Sequence, residues 1–191
     1  MHGDVKTNNV LVFGDTLKIS DIGTASSFVH TCDLSGDCTI HTRSPEAFLE
    51  CVRDHKIDTW AVGCIIVELA TNAYPFWTSE EDKEAGVVMN IVKTLGTPNV
   101  RDSRVVCIVS TWQLFSCFVL PQEMEWPGIR YSRTWPHIRK HYEGIPRMAF
   151  RDAFGHADGS YVDILHKLLT YNPDRRLSAE EALKHPFLYT Q

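Results

Sequence analysis

The stretch His2-Gly3-Asp4-Val5-Lys6-Thr7-Asn8-Asn9 leads into Val10-Leu11-Val12-Phe13, Gly14-Asp15, Thr16-Leu17-Lys18-Ile19 and then Asp21-Ile22-Gly23, and its reading decides the fold. Two β-prone runs flank a Gly-Asp pair. Both residues of that pair tolerate the positive φ that tight turns demand, so residues 10–19 are predicted to form a short hairpin. A hairpin brings its flanks together, so Asp4, Lys6 and Asn9 on one side should meet Asp21 on the other. Two carboxylates, an amide oxygen and an ammonium would then share one place. Phosphoryl transfer needs such a set: oxygen ligands for Mg²⁺, a cation for the migrating charge, and a carboxylate to orient the attacking hydroxyl. Taken singly, each residue has a plainer reading, because a lone Asp in a loop is usually a turn former and a lone Lys is usually solvated.

Outward from the hairpin, Thr24 to Thr42 is rich in Ser, Thr, Asp and Gly without periodicity and reads as a long surface loop, which is uncommon unless the loop has a function. Asp58 to Ala73 carries apolar residues on nearly every side, which predicts a helix buried all round, with Asp58 as its cap. Glu84 to Leu95 reads as an amphipathic helix stopped by Gly96-Thr97-Pro98. Tyr161 to Thr170 and Ala179 to Lys184 read as two more, the second opened by Ser178 with Glu181 three residues on as a capping box. No internal repeat and no Pro/Ser-rich linker divides the chain, so one mainly α unit with a small β-hairpin is expected.

Bulk properties narrow the function classes. The 191 residues suffice for one domain with a real core, and 43% hydrophobic with 23% charged residues is a globular composition. The formal net charge of -5 offers no broad attraction to nucleic acid or anionic membrane, so neither is an expected partner. Cys32, Cys38, Cys51, Cys64, Cys107 and Cys117 form no C-x-x-C pair and read as free thiols of a reducing, intracellular compartment, cytoplasm or nucleus. The opening residues lack the basic and apolar runs of a signal peptide. The apolar run Val105 to Leu120 is shorter than the ~20 residues that span a bilayer.

The hairpin with its two flanking motifs resembles the protein kinase pattern H-R-D-L-x-x-x-N, D-F-G and A-P-E, the last appearing as Ser44-Pro45-Glu46. Asp58-Thr59-Trp60-Ala61-Val62-Gly63-Cys64 is similar to the family's D-x-W-x-x-G segment. Asn172-Pro173-Asp174-Arg175-Arg176-Leu177-Ser178 is similar to its terminal signature. Arg43, Lys93-Thr94-Leu95-Gly96-Thr97-Pro98, Trp126-Pro127-Gly128 and Ala182-Leu183-Lys184-His185-Pro186-Phe187 add a resemblance to the cyclin-dependent and mitogen-activated group. The resemblance implies the large, C-terminal lobe of a serine/threonine kinase without its N-terminal lobe, with ATP and Mg²⁺ as cofactors and a protein as substrate. By it, Asp4 orients the substrate hydroxyl, Lys6 touches the γ-phosphate, Asn9 and Asp21 hold Mg²⁺, and Thr39 contacts Asp4 and Lys6. His2 packs inward, Asp58 holds the backbone of the His2-Gly3-Asp4 turn, and Glu46 pairs with Arg176 in a largely buried ion pair.

The pattern also breaks. Gly3 replaces the Arg that receives an activation-loop phosphate in many kinases, which removes the usual anion site for the candidate phosphosites Thr31 and Ser35. Ile22 stands for Phe, and His41 and Thr42 stand where the cyclin-dependent group has Trp and Tyr, which bears on a proline-directed substrate preference. The residues given include no glycine-rich loop and no strand Lys of the kinase pattern, so the N-terminal lobe, which would contact a cyclin-like regulator, is expected to be missing. The helix expected to pack on residues 58–73 is missing with it, so a face of that helix is expected to open and the monomer to be aggregation-prone. Residues 99–121 fit neither the family pattern nor a clear period and read as an atypical insertion or a translated intron. Two functions follow: a kinase catalytic lobe that is inactive alone, or a non-catalytic, pseudokinase-like binding module or truncated product.

Overall fold

A computed structural model describes residues 1–26, 39–79, 81, 83–98, 126–155 and 158–189; the candidate phosphosites Thr31 and Ser35 and the 99–121 segment lie outside them. Strands β1 (Val10–Phe13) and β2 (Thr16–Ile19) form the expected antiparallel hairpin, with Val10 opposite Ile19 and Phe13 opposite Thr16. Gly14 takes φ 55 in its turn, the conformation for which the Gly-Asp pair was read. Helices follow: α1 (Pro45–Phe48), α2 (Lys56–Thr71), α3 (Lys83–Leu95), α4 (Trp135–Ile138), α5 (Phe150–Phe154), α6 (Gly159–Leu168) and α7 (Ala179–Ala182). The structure is therefore mostly helical with one two-stranded sheet.

Helix α2 is the central strut. Trp60, Cys64 and Val67 on its inner side join Phe76, Val87, Ile91, Phe154, Leu165 and Leu169 in one apolar cluster. Gly63 is needed where α2 crosses α6: a Cβ there would stand 2.8 Å from Leu169 Cδ2 and 3.1 Å from Leu168 Cβ. The ends are capped as side-chain chemistry dictates. Asp158 accepts from the Ser160 and Tyr161 amides at the start of α6, and Ser178 with Glu181 forms the capping box that opens α7. Asn72 ends α2 in the left-handed region at φ 55, and its N–H donates to Glu68 O at 2.8 Å.

The expectation that α2 is buried all round does not hold. Val62 is 38% and Leu69 76% exposed and Ile65 is half-buried, while Ile66, also half-buried, packs against the apolar cluster. The exposed side agrees with the second expectation, an open apolar face. The hairpin is similarly bare, with Val12, Phe13, Leu17 and Ile19 exposed. Asp58 is not the cap of α2 either. It lies inside the first turn, and its carboxylate is engaged elsewhere. Among the described residues no helix is long and apolar enough to cross a membrane.

Candidate active site

The turn before the hairpin is built on α2. Asp58 accepts from the backbone amides of His2 (2.7 Å) and Gly3 (2.9 Å), so one carboxylate tethers the His2-Gly3-Asp4 turn to the core. Gly3 takes φ 88, and a Cβ there would meet the Thr24 carbonyl oxygen at 3.0 Å, so glycine suits this turn sterically where a larger residue would be strained. His2 Nδ1 accepts from the Asp4 N–H at 3.3 Å, so its Nε2 donates to Ser20 O at 2.9 Å; the half-buried ring is committed to backbone on both sides. Val5 is buried between Asp4 and Lys6, which fixes their direction.

Four of the proposed site residues then meet directly. Lys6 Nζ donates to Asp4 Oδ2 at 2.6 Å and to Thr39 Oγ1 at 2.7 Å. The Thr39 N–H donates to the other Asp4 oxygen at 2.9 Å. Asn9 Nδ2 donates to the Asp4 carbonyl at 2.9 Å and to Asp4 Oδ2 at 3.3 Å. Asp4 is buried, and burial alone would push its carboxyl up. The hydrogen bonds from Lys6 and Thr39, with the Lys6 charge, outweigh it and hold the group below the ordinary aspartate value. Asp4 is therefore ionised at neutral pH, a hydrogen-bond acceptor rather than a group that retains its proton.

Asp21 is placed by the hairpin. Ser20 N–H and Oγ both donate to Asn9 O, at 2.8 and 3.1 Å, closing the ladder at the end where Asn9 and Asp21 emerge. Asp21 adopts the left-handed conformation at φ 63 and is exposed; unlike the other four, it is not hydrogen-bonded into the cluster. Neither its carboxylate nor Asn9 Oδ1 accepts a hydrogen bond from any described residue. One amide oxygen and one carboxylate form a donor set that fits Mg²⁺, a hard ion bound by few protein oxygens together with phosphate and water.

Farther out, Arg176 clamps Glu46 in a fully buried bidentate pair, with Nη1–Oε1 2.6 Å and Nη2–Oε2 2.9 Å and both side chains 0% exposed. Contacts that the sequence reading missed complete the surroundings. Arg43 donates to Glu84 Oε1 at 2.5 Å, and Thr7 donates to Glu68 Oε1 at 3.2 Å. His41, Tyr74 and Trp77 gather three aromatic rings beside Thr39. No local signal announces these contacts, since each joins segments far apart in the chain.

The family model described as "Protein kinase domain" matches residues 1–188. The chain is 31% identical over 195 residues to cyclin-dependent kinase B2-1 of Oryza sativa subsp. japonica, covering 98% of this chain and 50% of the relative. It is also 31% identical to cyclin-dependent kinase B2-1 of Arabidopsis thaliana and to mitogen-activated protein kinase spk1 of Schizosaccharomyces pombe, covering 98% of this chain and 52% and 45% of those proteins. The chain thus spans about half the length of the curated relatives it matches. With one kinase model matched almost end to end, and relatives drawn from the cyclin-dependent and mitogen-activated kinases, the chain belongs to the protein kinase family.

Proposed function

We propose that this chain is the large, catalytic lobe of a serine/threonine protein kinase that directs the ATP γ-phosphoryl to a protein hydroxyl. The observation that supports this most is the Lys6–Asp4–Thr39 arrangement, an ion pair locked by a threonine from a distant segment with Asn9 beneath it. Asp4 accepts the hydrogen bond of the incoming Ser or Thr hydroxyl and sets its direction of attack. Lys6 lies between Asp4 and the place of the transferred group and balances its charge. Asn9 Oδ1 and the Asp21 carboxylate would hold Mg²⁺, which when bound with ATP supplies the charge that screens the phosphates. Thr39 keeps Lys6 and Asp4 in register, and positioning of this kind is the main thing a protein contributes to phosphoryl transfer. A cyclin-like regulator is a further proposed partner, on the strength of the cyclin-dependent relatives alone. An intracellular setting, cytoplasm or nucleus, is part of the same proposal.

The test is a thermal-shift titration of the purified chain with Mg-ATP, alongside phosphoryl transfer to a generic basic protein. A Mg-ATP shift that Asp21→Asn abolishes is the expected result; the lobe alone is expected to transfer little or nothing, and any transfer seen should be lost in Asp4→Asn. A chain that neither shifts nor transfers is a non-catalytic module, and the catalytic reading is then abandoned for this polypeptide.

A further inference from the structure

The loop between α2 and α3 is anchored from within. Phe76 is buried, with its ring 5.6 Å from Trp60 and 6.1 Å from Phe154. Its flanking neighbours reach the surface, Tyr74 36% and Trp77 52% exposed, yet they do not stand apart. His41 stacks on Tyr74 at 4.3 Å with ring planes 9° apart, and Trp77 lies 5.2 Å from His41 and 6.3 Å from Tyr74. The scaffold is tied down. Trp77 N–H donates to Tyr74 O at 3.3 Å, and the Asn90 amide donates to Trp77 O at 2.6 Å. Thr42 N–H donates to Thr39 O at 3.3 Å, closing the turn that carries His41. A half-exposed indole and phenol held in fixed orientation form a surface built to be covered.

This surface is continuous with the candidate active site. His41 follows Thr39 by two residues, so their Cα atoms lie within about 7 Å, and the Thr39 N–H is bonded to Asp4. A peptide that presented a hydroxyl to Asp4 would bring a flanking residue toward the Thr39–Thr42 turn that carries His41. We infer that His41, Tyr74 and Trp77 form a recognition subsite for an aromatic side chain of the protein substrate. The inference rests on the kinase reading above and goes on to name the substrate feature.

Charge selects the occupant. His41 Nδ1 is buried with no hydrogen-bond partner among the described residues, and burial, then the Lys83 charge, depress the ring's proton affinity while Glu68 raises it less, so the ring is neutral at pH 7. A Lys or Arg side chain would gain cation–π contact with the rings but meet the charge of Lys83, which acts on His41 more strongly than the opposite charge of Glu68. An Asp or Glu would lose water against the negative faces of three rings. An aromatic ring gains offset or edge-on packing and buries the exposed parts of Tyr74 and Trp77.

The test uses fluorescein-labelled Ser-centred peptides in which Phe is walked through the flanking positions, against the same peptides with Ala, Arg or Glu, with binding to the full chain read by anisotropy without nucleotide. The Phe peptides are expected to bind about threefold to tenfold tighter than the Ala series at one flanking position. Trp77→Ala, which removes a half-exposed ring, should erase that gain, and Tyr74→Leu should reduce it. Equal binding across the series, a preference for Arg or Glu, or a Phe preference unchanged in both variants would overturn the assignment. A Phe preference with neither a Mg-ATP shift nor transfer would remove the catalytic reading and leave the subsite standing, whereas a Mg-ATP shift without a Phe preference would do the reverse.

Discussion

Arg176→Met should destabilise the fold more than Glu46→Gln, although the two residues share one ion pair. Arg176 has partners beyond Glu46: its Nε and Nη2 both donate to Thr170 O at 3.0 Å, and its Nη1 donates to Lys56 O at 2.8 Å. Its guanidinium also lies 5.1 Å from the Trp60 ring centroid. The Glu46 carboxylate has no partner among the described residues except Arg176. Glu46→Gln therefore leaves a guanidinium still held by carbonyls, and the loss is that of a charge-assisted bond, about 1.5–3 kcal/mol. Arg176→Met strands a buried carboxylate and leaves Thr170 O without its donors, which belongs at about 3–5 kcal/mol. In urea titrations followed by tryptophan fluorescence, both midpoints should fall at unchanged slope, that of Arg176→Met further. In a melt this corresponds to roughly 2–4 °C per kcal/mol for a chain of this size. A Glu46→Gln loss equal to or above that of Arg176→Met, or a loss below about 1 kcal/mol for either, would refute the reasoning, because the pair would then be neither buried nor unequal in its supports.

Gly63→Ala places a methyl 2.8 Å from Leu169 Cδ2, so overpacking of about 1–3 kcal/mol should exceed the ~1 kcal/mol of helix propensity gained, and urea unfolding should show net destabilisation. The Asp4 carboxyl is held low in the fold, so on acidification the unfolded chain takes up its proton first. The stabilisation is whole above the unfolded value of about 3.9 and is lost as pH falls below it, and Asp4→Asn should flatten that limb of the stability–pH curve. Burial pushes the Cys51 thiol up to about 12, with Ser132 pulling down and Glu46 adding to the rise, and burial raises Cys64 as well. Both should resist iodoacetamide at pH 8 in the native chain, react on unfolding as read by peptide mass spectrometry, and cost stability as pH climbs past about 8.5, where only the unfolded thiols ionise. Ser178→Ala removes the capping box of α7 and should cost about 1 kcal/mol by the same urea assay.

Elements with local chemistry were legible in the sequence. The bounds of β1 and β2 match because the Gly-Asp turn fixes the register, and the capping box of α7 matches because both partners lie within four residues. Asp58 shows the limit of local reading: its position beside an apolar run suggests a cap, while its partners are amides at positions 2 and 3, far away in sequence. The burial of α2 was overestimated because composition counts apolar residues without knowing whether anything covers them, and Leu69 is 76% and Val62 38% exposed. At the site, the hairpin argument brought Asn9 and Asp21 to one end, but the Lys6–Thr39 bond spans 33 positions and was accessible only through resemblance. The three-ring surface joins position 41 to positions 74 and 77 and has no pattern that periodicity can detect.

The double tether at Asp58 ties the behaviour of the His2-Gly3-Asp4 turn to that of the core helix. The His2 and Gly3 amides are protected by a side chain rooted in the first turn of α2, so they exchange with solvent only when that tether opens. Damage deep in the interior, at Trp60 or Gly63, should therefore loosen a loop it never touches, and the earliest sign of a failing core would be faster deuterium uptake at positions 2 and 3.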